Sequence, residues 1–135
     1  MAQRPFQTGA TVNLSGGESS KEAVIYTVPT KKRFYVKFLG INGFGHPNQP
    51  LFYAIHVTTG SRTGIYPIAL NGVAEIAEPE FPVRYFGSQE VILYADPGSD
   101  LIFTVARKDT MGNVRVFIDL CGILVDVRSR SRADR

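Results

Sequence analysis

Apolar residues recur at every second position along most of this chain, the spacing of strands with one face in a core and the other in solvent. In the run Arg33-Phe34-Tyr35-Val36-Lys37-Phe38-Leu39, the period places Phe34, Val36 and Phe38 inward and Arg33, Tyr35 and Lys37 outward. Leu101, Phe103 and Val105 form the inner set of residues 101–107. Val114, Val116, Ile118 and Leu120 form that of residues 114–120, with Arg115 and Asp119 facing out. These runs are rich in β-branched and aromatic side chains, which fit a pleated surface. No stretch carries a sustained helical period, which argues against a βαβ arrangement.

Turn chemistry separates the runs. Clusters of Gly, Pro, Asn or Asp stand at 15–17, 29–32, 59–61, 71–72, 96–100 and 108–113. Asn71-Gly72 predicts a two-residue hairpin turn joining residues 65–70 to 73–77. Residues 40–50 read as a long glycine-rich loop, and 75–82 as an acidic loop punctuated by prolines. About eight to ten short strands result. The expected architecture is all-β, an antiparallel two-sheet sandwich, jelly-roll-like, with extended N- and C-terminal arms. Its parts are an N-terminal arm at 1–9, a sandwich domain at 10–127 and an Arg-rich tail at 128–135.

Charge changes this picture only at the ends. The 135 residues carry a net charge of +3, yet residues 1–9 and 128–135 hold five of the fifteen Lys and Arg and one of the twelve acids. The body between them is therefore net −1. With no basic face interleaved with aromatics, the body disfavours nucleic acid as a partner. The single cysteine, Cys121, lies in the apolar run 118–125 and reads as a small buried hydrophobe. The first nine residues have no apolar stretch of a secretory signal, which places synthesis in the cytoplasm. The apolar runs fall far short of the ~18 residues that a membrane helix needs, so no membrane partner is expected.

Candidate chemistry is sparse. His46 and His56 stand ten positions apart with one cysteine to help them, which falls short of a metal-ligand set. Glu75, Glu78, Glu80 and Glu90 offer the carboxylates that glycoside hydrolysis uses, but three of them sit together in one loop rather than across a cleft. Asp96-Pro97-Gly98-Ser99-Asp100 is explained by turn chemistry and lacks the pattern of a calcium loop. Phosphate-cradle, nucleophile-elbow and Cys-x-x-Cys motifs are missing. The chain therefore reads as a non-enzyme without cofactor or metal.

Binding chemistry is better represented. The alternating arginines Arg128, Arg130 and Arg132, with Arg135 and with Arg4 at the other end, form arms suited to an acidic surface. Glu78 and Glu80 form an acidic patch that would receive arginines of a neighbouring subunit. Tyr26, Tyr35, Tyr53, Tyr66, Tyr85 and Tyr94 provide either sugar-stacking platforms or an oligomer interface.

The segment Tyr26-Thr27-Val28-Pro29-Thr30-Lys31-Lys32-Arg33-Phe34-Tyr35-Val36 resembles a recurrent opening of small β-sandwich proteins. That opening occurs in accessory and decoration proteins of tailed bacteriophages. Lys31 stands where it has a glycine. The resemblance implies a capsid-decoration or cement protein located in the virion. Such a protein forms a homotrimer or other homo-oligomer, and its termini clasp a larger protein shell. Eleven residues carry over no residue-level role. The alternative reading is a carbohydrate-binding, lectin-like module using the tyrosines and the 40–50 loop.

Overall fold

The alternation of apolar and polar positions is realised as nine strands in a computed structural model that describes residues 3–46, 51–59, 62–68, 72–75 and 81–127. In chain order these are β1 (Gln3–Leu14), β2 (Ser20–Thr27), β3 (Lys32–Gly45), β4 (Leu51–Thr59), β5 (Arg62–Ile68), β6 (Gly72–Glu75), β7 (Val83–Ala95), β8 (Asp100–Arg107) and β9 (Val114–Asp126). They form two antiparallel sheets, one in the order β1-β9-β3-β7-β6 and the other β2-β8-β4-β5. Without β6, the two orders interleave as paired Greek keys, which is the eight-stranded jelly roll. β6 is a short addition at one edge.

Side chains from the two inner faces make the core. β9 contributes Val114, Val116, Ile118 and Leu120, and β8 contributes Leu101, Phe103 and Val105, as the period predicts. Phe34 is fully buried and receives the edge of Phe6 at 5.3 Å, with Tyr26 completing an aromatic corner.

Four expectations change. Phe38 points outward, because the register shifts between Val36 and Phe38 on both neighbours of β3, and Leu39 and Ile41 take the inner positions. Residues 40–45 are strand rather than loop. Inward-facing Gly43 leaves room for the Tyr53 hydroxyl, and Gly45 for Val114 and Tyr85, so these glycines serve packing. The Asn71-Gly72 hairpin is not formed: β5 pairs with β4 in one sheet and β6 with β7 in the other. Burial of Ile68 opposite Tyr53 holds β5 to its sheet and outweighs the local turn signal; Asn71 itself lies outside the described residues. Cys121 is half-exposed on the outer face of β9, because its neighbour Leu120 takes the inward position. The N-terminal stretch 3–9 is extended, and it is laid along β9 as the first half of β1 rather than left free, with Phe6 buried enough to anchor it.

One end of the sandwich is closed by a cation. Arg107 is only 4% exposed and continues the inward series of β8. Its guanidinium donates to the carbonyls of Glu18 and Ser15 at 3.0 Å and of Gly112 at 2.9 Å, with longer contacts to Thr110 and Met111. The β1–β2 turn and the β8–β9 loop are thereby tied to one side chain. Hydrogen bonds to a charged donor contribute about 1.5–3 kcal/mol each and are not additive. Arg107→Met should therefore lower unfolding stability by about 3 kcal/mol or more, measured by urea denaturation.

The register shift yields a second test. A side chain at Gly122 would collide with the backbone of Tyr35 and Val36, whereas one at Gly40 meets nothing within 4 Å. Gly122→Ala should destabilise by about 2 kcal/mol. Gly40→Ala should be neutral or stabilise by up to about 1 kcal/mol in the same denaturation experiment.

Candidate interaction surface

Outward positions of the five-stranded sheet line up across strands because the pairing places them directly opposite one another. One row runs Pro5, Ile123, Tyr35, Tyr94. The next runs Gln7, Cys121, Phe38, Glu90, followed by Gly9, Asp119, Gly40, Ser88. Beyond it lie Thr11, Phe117, Asn42, Phe86 and then Asn13, Arg115, Phe44, Arg84. An antiparallel sheet usually turns polar residues to water. Here Ile92 is 78% exposed, Tyr94 55% and Phe38 41%.

The face has three zones. At the first end Tyr35 and Tyr94 meet edge to face at 4.9 Å, beside Ile92 and half-buried Ile123. At the opposite end Phe44 and Phe117 pack at 6.0 Å, and the guanidinium of Arg84 sits 4.7 Å above the Phe86 ring. Arg84 and Arg115 are held there by the side-chain oxygens of Asn42 and Asn13. Between the ends is a furrow where Gly9 and Gly40 leave the sheet bare, bordered by Gln7, Phe38, Asp119 and Cys121. A Cβ at Gly9 would stand 2.7 Å from Oδ1 of Asp119, so the glycine lets that carboxylate lean across β1.

The outer face of the four-stranded sheet carries one row, Val24, Ile102, His56 and Ile65, in which Val24 and Ile65 are exposed, with exposed Phe52 nearby. His56 lies there and His46 lies against Gly112 on the other sheet's rim, so the two histidines do not converge. Among the described residues no group of three His, Cys, Asp or Glu could hold a metal ion. No described helix is long and apolar enough to cross a membrane.

Of the residues assigned to interaction from sequence, Arg4 is described, and Arg128, Arg130, Arg132, Arg135, Glu78 and Glu80 lie outside the described residues. Arg4 is exposed near the start of β1, opposite Leu124, where its charge acts on Asp126. The tyrosines divide. Tyr53 and Tyr85 are core residues and Tyr26 packs beneath the aromatic corner, while exposed Tyr66 and Tyr94 belong to different sheets. Burial pushes the Tyr53 hydroxyl far above the usual tyrosine range. The other shifted groups are structural as well. Glu18 is lowered by the backbone N–H of Ser15, and the Arg33 guanidinium is raised by hydrogen bonding to Tyr35 and to Asp96 at 2.9 Å.

No protein-family model and no curated protein matches the chain. Solved structures similar over most of it include the Eiger TNF of S. frugiperda, at 13% identity, 96% of this chain, 99% of that one and a TM-score of 0.41. A chain of a nora virus structure shares 10% identity over 96% of this chain and 62% of its own, with a TM-score of 0.39. A chain of the infectious bursal disease virus Gt strain shares 8% identity over 94% and 37%, with a TM-score of 0.40. At these values the likenesses say nothing of what this chain does, and its function is read from its own surface.

Asp126 supplies a direct check of the strand-end electrostatics. Its carboxylate is lowered first by the hydrogen bond from Lys32 and then by that cation's charge, with Arg4 adding to it. The NMR titration midpoint of Asp126 should lie below the usual carboxylate range, and Lys32→Met should move it back up. Because the pKa is lowered in the folded chain, the associated stabilisation is present above the ordinary carboxylate pKa and is lost as pH falls through the lowered value.

Proposed function

We propose that this chain is a non-catalytic structural protein that associates with copies of itself. In the finer form of this reading it decorates a larger protein shell, as a virion capsid-decoration protein does. The observation that carries the reading is the outer face of the five-stranded sheet, where Tyr94, Ile92 and Phe38 are exposed on one side of the glycine furrow and Phe117 on the other. Exposed apolar surface of this kind on a folded domain marks a contact with another macromolecule. Aromatic side chains are the residues that anchor such contacts, since they bury large area with few rotors to freeze.

The glycan-binding alternative ranks second for a geometric reason. A sugar platform needs ring faces gathered on one open surface. Tyr66 and Tyr94 are on opposite sheets, and Tyr35 and Tyr94 stand edge to face against each other rather than side by side as a flat platform. Residues 40–45, the expected sugar loop, are strand.

The mass of the full chain in solution, by light scattering after size exclusion, tests the proposal. A stable homo-oligomer, with a trimer the expected species, supports it. A chain that stays monomeric up to about 1 mM, the weak limit of useful affinities, and is retained on a glycan array overturns it in favour of the lectin-like alternative.

A further inference from the structure

The furrow on the five-stranded sheet has three properties that its own chain leaves unexplained. Gly40 lies in the middle of a central strand, has no positive φ, and would bring an added Cβ within 4 Å of nothing. Glycine weakens a strand and commonly marks the close approach of another backbone. Asp119 and Glu90, on either side of β3, take part in no ion pair among the described residues, unlike Glu18, Asp96 and Asp126. Phe38, between them, has an exposed ring with no cation over it among the described residues, although Phe86 on the same face carries Arg84.

We propose that this furrow receives the arginine-rich segment 128–135 of a second copy. Its guanidinium groups sit on the carboxylates of Asp119 and Glu90 and over the ring of Phe38. The inference rests on the reading of the chain as self-associating and names the contact. Charge and spacing both fit. Arg128, Arg130 and Arg132 alternate with Ser129 and Ser131, so an extended segment presents all three arginines on one side. The first and third are then ~13 Å apart. Glu90 pairs with Phe38 and Asp119 with Gly40, so the two carboxylates are two strands and two residues apart, a diagonal of roughly 12 Å. Arginine pairs with carboxylates through two parallel hydrogen bonds and stacks on aromatic rings, which suits all three groups.

The segment of the same copy does not reach in the right order. Asp119 lies seven residues before Asp126 on β9, ~24 Å away along the strand. Arg132 stands six residues beyond Asp126 and reaches at most about 20 Å from it, so Arg128, Arg130 and Arg132 of the same copy all fall short of Asp119.

Cys121 in the furrow wall makes a direct test possible. In the full chain, Arg130→Cys, on the side of the segment that faces the furrow and beside Phe38, the partner of Cys121 in the pairing, should form an intermolecular disulfide with Cys121 on mild oxidation, read as dimers and higher ladders on a non-reducing gel, while Arg128 and Arg132 keep the carboxylate contacts. Ser20→Cys, exposed on the other sheet, sets the rate of random encounter. The ladder should vanish with Cys121→Ser and fall about five- to tenfold with Asp119→Asn plus Glu90→Gln, and it should weaken as salt rises. Gly40→Val should not lower the thermal unfolding temperature and should abolish the ladder by filling the furrow. Crosslinking at the control rate, or undiminished by neutralising both carboxylates, overturns the proposal. An internal disulfide within a monomer overturns the choice of a second copy. An oligomer by mass with control-rate crosslinking leaves self-association standing and removes this contact; a monomer without crosslinks removes both.

Discussion

The arrangement of the sheet that carries the proposed contact depends on one crowded crossing, where β3 passes Gly122 of β9. Side chains on a strand alternate with a period of two, so one extra residue reverses the facing of everything beyond it. Relative to β9 that residue is Lys37: Val36 pairs with Gly122 and Phe38 with Cys121. Phe34 and Val36 point inward before the shift, and Leu39 and Ile41 after it. The backbone of Tyr35 comes so close to residue 122 that only a hydrogen fits there. The same shift sends Phe38, Gly40, Asn42 and Phe44 outward together, beside Cys121, Asp119, Phe117 and Arg115. Without it, β3 would bury Gly40 and Asn42 and expose Leu39 and Ile41. The furrow and the core are therefore two consequences of a single bulge.

Much of the fold is legible in the sequence because apolar alternation is a local signal. The inner sets of β8 and β9 follow from it directly. The same period also points Arg107 inward, and only its charge argues the other way. The conflict resolves through groups that sequence does not reveal, since the guanidinium meets backbone carbonyls of Ser15 and Glu18, which lie far away in the chain. Local signals mislead where a non-local pairing is stronger. Asn71-Gly72 is good hairpin chemistry, yet β5 and β6 are claimed by different sheets. The glycines of 40–45 resemble a loop until Tyr53, Tyr85 and Val114 arrive to use the space they leave.

The candidate surface is legible in its ingredients and hidden in its assembly. The arginine spacing of the tail and the outward position of Asp119 can both be read from the chain. That Gly9 and Gly40 flank Asp119 cannot, because β1 and β3 reach it from distant parts of the sequence. Sequence reasoning matched the arginines to Glu78 and Glu80, the densest acidic stretch. Asp119 and Glu90 are also two carboxylates, and strand pairing sets them on either side of β3 beside the bare furrow. Strand pairing brings together charges that stand far apart along the chain, and Glu78 and Glu80 lie outside the described residues.

Area explains why such a surface would employ an arm as well as a face. The outward rows from Pro5–Tyr94 to Asn13–Arg84 cover on the order of 500 Å², at ~4.8 Å between strands and ~6.8 Å between rows. Stable interfaces bury about 800 Å² on each partner. A flat sheet face of this size falls short, and its apolar burial alone, at about 25 cal/mol per Å², must still overcome the entropy of association. An extended segment from a neighbour adds area on both sides of its backbone and brings charge to a body whose own net charge is −1. It also fixes register, which an aromatic face by itself leaves loose. In the proposed contact the apolar rows supply the burial, while Asp119, Glu90 and the arginines determine where along the furrow it occurs.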